Sequence, residues 1–167
     1  MRISAKTDYA LRALSQLASH SDRPVSSEEL AQSQEIPHKF LEAIMAELRR
    51  TGLVVSQRGT GGGHRLSRPA DRIVVADVIR ALNGPLTVIR GECPQDVEYG
   101  PPAQSLQVVW VAVRATLRSI LESVTLADVA AGRLPEHIGE LAADPDAWVT
   151  HWYHDPTKKP AREGERR

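Results

Sequence analysis

The chain has 167 residues, 41% hydrophobic and 25% charged, with a formal net charge of zero; this is enough for one compact domain with an extension and too little for two full-sized domains. No apolar run approaches the ~18 to 20 residues that a membrane helix requires, and Met1-Arg2-Ile3-Ser4-Ala5-Lys6 leads into an amphipathic pattern without the apolar core of a signal peptide, so no membrane partner and a cytoplasmic location are expected. The single cysteine, Cys93, excludes an internal disulfide and any zinc site of several thiolates within one chain.

Apolar residues Ala10, Leu14 and Leu17, with Leu11 and Ala18 beside them, predict a first helix over about 5–19. Pro24 breaks the pattern, and serines ahead of Glu28-Glu29 suit the start of a short second helix over about 27–33. Ile36-Pro37 interrupts it and opens a third, with Leu41, Ile44, Met45 and Leu48 as its buried face and an end at Gly52. The opposite face carries His38, Lys39, Glu42, Ala43 and Ala46, polar and small groups suited to a groove. Two helices joined by a short turn, the second exposing polar residues at its start, form a helix-turn-helix pattern.

The next segment gives that pattern its context. Residues 53–58 and 64–67 read as two strands around the turn Gly59-Thr60-Gly61-Gly62-Gly63, a hairpin that follows the third helix as a wing does. A nucleotide-binding loop is the rival, but no Lys-Ser/Thr pair or helix follows the glycines. Charge is unevenly placed: residues 1–84 hold 12 Lys+Arg against 9 Asp+Glu, residues 85–167 hold 9 against 12, and five arginines (Arg49, Arg50, Arg58, Arg65, Arg68) fall between 49 and 70 without an acidic residue. Such a patch suits phosphates. The fold class expected is mainly α with a small β-hairpin wing, a winged helix-turn-helix domain over 1–84.

A fourth helix over about 74–82 ends at Asn83-Gly84-Pro85, and a Gly- and Pro-rich loop over 85–102 carries Cys93. Leu106, Val109, Val113, Leu117, Ile120, Leu121 and Val124 then recur at three- and four-residue steps. This long apolar helix, with a capped short helix started by Thr125-Leu126-Ala127-Asp128, occupies 103–131; a second copy of the chain is its expected cover, so the seven apolar residues are candidate dimer contacts. Residues 132–167 read as a polar extension, disordered from about Asp155, in which His151 and His154 are polar residues without a third metal ligand.

Thr7-Asp8-Tyr9-Ala10-Leu11-Arg12-Ala13-Leu14, Ile36-Pro37 with Phe40-Leu41-Glu42, Leu48 through Val54, Ser56-Gln57-Arg58-Gly59 with Gly61-Gly62-Gly63, and Thr125-Leu126-Ala127-Asp128 resemble the Rrf-two family of winged helix-turn-helix bacterial transcription regulators in its IscR/NsrR-like form. The resemblance covers about residues 1–131. It implies a homodimeric regulator, a repressor or an activator with the repressor as the expectation here, that binds double-stranded DNA at a palindromic operator. It implies DNA contacts at His38, Lys39 and Glu42 and at the wing around Arg58 and Gly61, Gly62 and Gly63; Ser27, Arg49, Thr60 and His64 complete the candidate set, His64 standing where many members have tyrosine.

Cluster-sensing members place three cysteines in the loop before the long helix and recruit an acidic residue near the start of helix one. Cys93 fits the first cysteine and Asp8 the acidic position, yet no cysteine follows between Pro94 and Leu106. A cluster normally takes four ligands, mostly thiolates, so no cofactor is expected, and Cys93 is the sensor candidate as a lone redox-responsive thiol. An iron-sulfur cluster completed by Asp8, Glu92 or Glu98, or control by a small molecule or a partner protein, is the alternative. An enzyme is not expected, because no nucleophile with its base, metal triad or phosphate loop is present. A winged helix that binds protein is the remaining rival, and the acid-free arginine segment argues against it.

Overall fold

The computed structural model describes residues 2–59 and 61–150. Helices α1 (Ala5–Ser19), α2 (Ser27–Ser33) and α3 (His38–Arg50) are followed by strands β1 (Val54–Gln57) and β2 (Gly63–Leu66), a short 3-10 turn at 70–72, and helices α4 (Val75–Asn83), α5 (Ser105–Leu121) and α6 (Leu126–Ala131). The strands form one antiparallel hairpin in which Val54 faces Leu66 and Gln57 faces Gly63. Three of these helices start at a side-chain cap: Ser4 accepts from the Thr7 amide and Ser26 from the Glu29 amide, while Thr125 and Asp128 close a reciprocal capping box on α6.

One core joins these elements. Ala10, Ala13, Leu14 and Leu17 of α1, Leu30 of α2, the four apolar residues of α3 and Leu82 of α4 are buried together, as the helical periodicity predicts. Thr7 is buried among them, and its hydroxyl is satisfied by Asn83 at 2.8 Å and Ser4 at 2.9 Å. Lys6 bonds both Glu47 of α3 and the Leu82 carbonyl of α4. Thr7 and Tyr9 of the Thr7-Asp8-Tyr9 motif are therefore explained by folding: Tyr9 meets Phe40 edge-on at 5.7 Å, and Arg12 covers Tyr9 while donating to the Gln34 carbonyl.

Two features differ from the sequence expectation. The chain leaves α5 at Leu121 and returns to the N-terminal core: the Val75 amide donates to the Val124 carbonyl, the Leu126 amide donates to the Ile73 carbonyl, and Leu126 is fully buried. Val124 is thus 7% exposed in this chain's own interior and is withdrawn from the dimer-contact candidates. Leu106, Val109 and Val113 remain exposed on α5, while Leu117, Ile120 and Leu121 are half-buried. The second difference is a helix inside the expected polar extension. Residues 136–150 belong to a separate unit with α7 (Glu136–Ala143) and a 3-10 turn at 145–148, in which the Trp148 indole donates to the Ala142 carbonyl at 2.6 Å. His151, His154 and the tail from Asp155 lie outside the described residues.

Candidate nucleic-acid interface

Burial of Leu41, Ile44, Met45 and Leu48 turns His38, Lys39, Glu42, Ala43, Ala46, Arg49 and Arg50 outward along one side of α3. The small side chains of Ala43 and Ala46 leave room for close approach, and His38, Lys39 and Glu42 fall in the first two turns, where a recognition helix meets base edges. Lys39 has no side-chain partner among the described residues. Glu42 is within 3.8 Å of the His38 ring, whose other nitrogen is 3.6 Å from Glu28 of α2. His38 thus lies between the carboxylates of the two helices of the motif.

The hairpin is fastened to α2 rather than projecting freely. Backbone bonds join Val25 and His64 in both directions, at 3.0 and 2.8 Å. The His64 ring bonds Ser27 of α2 through Nε2 and Ser56 of β1 through Nδ1, each at 3.0 Å, and Arg49 of α3 donates to Ser56 Oγ at 3.3 Å. Burial, with the charge of Arg49 second, pushes the His64 ring below its ordinary value. A Cβ at Gly63 would sit 2.5 Å from the Val25 carbonyl oxygen, and one at Gly62 would sit 2.4 Å from the Gln57 oxygen. Gly63 is demanded by the docking of the wing against Val25, whereas Gly62, crowded by the hairpin's own backbone, and Gly61, at φ +77° in open space, are demanded by the turn.

The acid-free arginine segment is less uniform in space than in sequence. Arg65 donates to the Ser21 and Asp22 carbonyls, and Arg68 bonds the Arg72 carbonyl and the Asp77 carboxylate. Arg50 is 3.7 Å from Glu47. Arg58, at the tip of the wing, has no side-chain partner among the described residues; Thr60 lies outside them.

The Rrf2 profile, described as iron-dependent transcriptional regulators, matches residues 3–132. This chain belongs to the Rrf2 family. The Mycobacterium tuberculosis protein Rv1287, provisionally named as an HTH-type transcriptional regulator, is 48% identical over 145 residues, covering 86% of this chain and 90% of its own. The structure of CymR, the global cysteine regulator of B. subtilis, superposes with a TM-score of 0.68 at 32% identity, covering 79% of this chain and 98% of CymR. That of T. potens IscR does so with 0.63 at 30% identity, covering 92% and 95%. This Rrf2 protein is a DNA-binding transcriptional regulator with a winged helix-turn-helix, and its relatives are regulators rather than enzymes.

The iron in the family description does not fit the residues present. Cys93 is the one cysteine, and among the described residues no group of three or more His, Cys, Asp and Glu side chains is placed to hold a metal. Asp8 pairs with Arg12 at 3.7 Å. The loop over 85–102 is organised instead by α5: Gln107 donates to the Gln95 and Val97 carbonyls at 3.1 and 2.9 Å, Trp110 donates to the Tyr99 hydroxyl at 3.0 Å, and Val97 is fully buried. Sequence reading missed Ser56 as part of the site; its place two residues before Arg58 on the alternating strand β1, opposite His64, was the available signal.

Proposed function

We propose that this chain acts as a homodimeric repressor on a palindromic operator, with α3 in the major groove and the wing on the adjacent backbone. The observation that carries the reading is the outward face of α3, Lys39, Glu42, Ala43 and Ala46, flanked by a hairpin held on α2 by His64. Lys39 is suited to guanine or phosphate and Glu42 to a cytosine amino group, whereas Ser27, Arg49 and Arg58 are suited to the backbone and His64, with both ring nitrogens engaged, to holding the wing in place. Dimerisation is supported by α5, on which Val108 is 69% exposed, Val109 47% and Val113 41%. No helix among the described residues is long and apolar enough to cross a membrane, which agrees with action on DNA in the cytoplasm.

The ligand count supports regulation without a cluster, with Cys93 as a thiol switch: it is half-buried, and its carbonyl accepts from the Asp96 amide. No catalytic role is proposed. Selection from a random DNA pool tests the reading. The enriched sequence is expected to be palindromic, with half-sites about one helical turn apart or a multiple of it. Enrichment of an asymmetric site, or of none, overturns it. Protein purified without oxygen is expected to be colourless, and stoichiometric iron and sulfide would restore the cluster alternative with Cys93 and Asp8 as first ligands.

A further inference from the structure

In the chain Arg49, Ser56, His64, Ser27 the cationic end favours one direction. A guanidinium only donates, so Arg49 Nη1 gives its proton to Ser56 Oγ. The Ser56 hydroxyl is then free to donate to Nδ1 of His64, 3.0 Å away, and a neutral ring that accepts at Nδ1 carries its proton on Nε2. Nε2–H donates in turn to Ser27 Oγ at 3.0 Å. Ser27, with its oxygen satisfied, keeps its own hydroxyl proton for an outside acceptor. We propose that His64 is a positioning residue held as the Nε2–H tautomer, which fixes Ser27 as a hydrogen-bond donor to a DNA backbone phosphate.

The inference rests on the reading above that Ser27 faces DNA. Charged groups around the ring leave the direction unopposed. Arg49 is the cation that faces it from α3, and it disfavours a protonated ring. On α2, Glu28 lies beside His38 at 3.6 Å and Glu29 is paired with Arg23. On β2, Arg65 is held by the Ser21 and Asp22 carbonyls. His64 therefore acts at one remove from the DNA, through the orientation of a neighbouring hydroxyl.

Long-range proton–nitrogen spectra of the free protein at pH 7.5, together with operator affinities, test the proposal. Wild-type His64 is expected to show one neutral tautomer with the proton on Nε2. Ser27→Ala is expected to lower affinity for the selected operator about ten-fold, the size of a lost hydrogen bond to a charged acceptor. Ser56→Ala, which removes the donor to Nδ1, is expected to give mixed tautomers and a several-fold loss. The double variant is expected to lose no more than Ser27→Ala alone, because Ser56 acts through Ser27. An Nδ1–H or protonated ring in the wild type, or additive losses in the double variant, overturns the proposal. Unchanged affinity in Ser27→Ala beside an intact Nε2–H signal overturns the DNA role of Ser27 instead, so the two failures are distinguishable.

Discussion

Arginines that look equivalent along residues 49–70 separate once their partners are named. Arg65 and Arg68 complete carbonyls and a carboxylate of their own domain, while Arg58 at the wing tip has no side-chain partner among the described residues. A cation that meets phosphate releases condensed counterions, so its removal changes how affinity responds to salt. Arg58→Ala is expected to weaken binding across sequences and to reduce the slope of log affinity against log salt by about one unit. Arg65→Ala is expected to lower stability while leaving that slope near the wild-type value. Equal slopes in wild type and Arg58→Ala, measured by fluorescence anisotropy from low to moderate salt, would show that Arg58 acts through the fold and not through phosphate.

Among the elements, the wing depends most on polar contacts, and its docking carries a pH signature. His64 joins β2 to α2 and β1, and its ring is held below the ordinary value of 6.5, by burial first and by Arg49 second. Above pH 6.5 the ring is neutral in folded and unfolded chains alike, and its contribution is complete. As pH falls below 6.5 the unfolded chain takes up the proton before the folded one does, so stability declines until the folded ring is protonated as well. The difference in melting temperature between wild type and His64→Gln is therefore expected to shrink on acidification from pH 6.5, other titrating groups being common to both. A difference that stays constant through that interval would mean the fold does not hold the ring neutral. Helices α1 to α4 were legible because their apolar spacing is strong and proline, serine and glycine mark their ends. Val124 was misread because helical spacing runs on through Leu121, and only the long-range pairing of Val74 with Thr125 shows the chain turning back. The link from His64 to Ser27 was not legible for the same kind of reason: the two residues lie 37 apart in sequence, whereas Ser56 faces His64 across the hairpin.

At the scale of the whole molecule, one chain leaves a surface that a water-soluble monomer seldom carries. Val108, Val109 and Val113 of α5 are 69%, 47% and 41% exposed, Leu106 is 40% exposed, and Val109, Ala112, Val113, Thr116 and Leu117 form an open, mainly apolar strip along the helix. Burying such a face contributes on the order of 25 cal/mol per Å² of apolar area, and a second copy offers the same face through a two-fold axis without any new sequence. The two-fold axis would also present two α3 helices to two half-sites, which links association to operator symmetry. Placing aspartate at both Val113 and Leu117 sets four carboxylates at a two-fold contact, where neither desolvation nor mutual repulsion is compensated. The double variant is expected to run as a monomer in multi-angle light scattering and to lose more than ten-fold in operator affinity, since each half-site then binds alone. Its far-ultraviolet circular dichroism is expected to stay near wild type, because the core around Leu14, Leu41 and Leu126 does not include the exposed face of α5. A variant that remains dimeric with unchanged spectra would move the interface off α5, and a monomer that binds the full palindrome as tightly as wild type would break the link between association and DNA recognition.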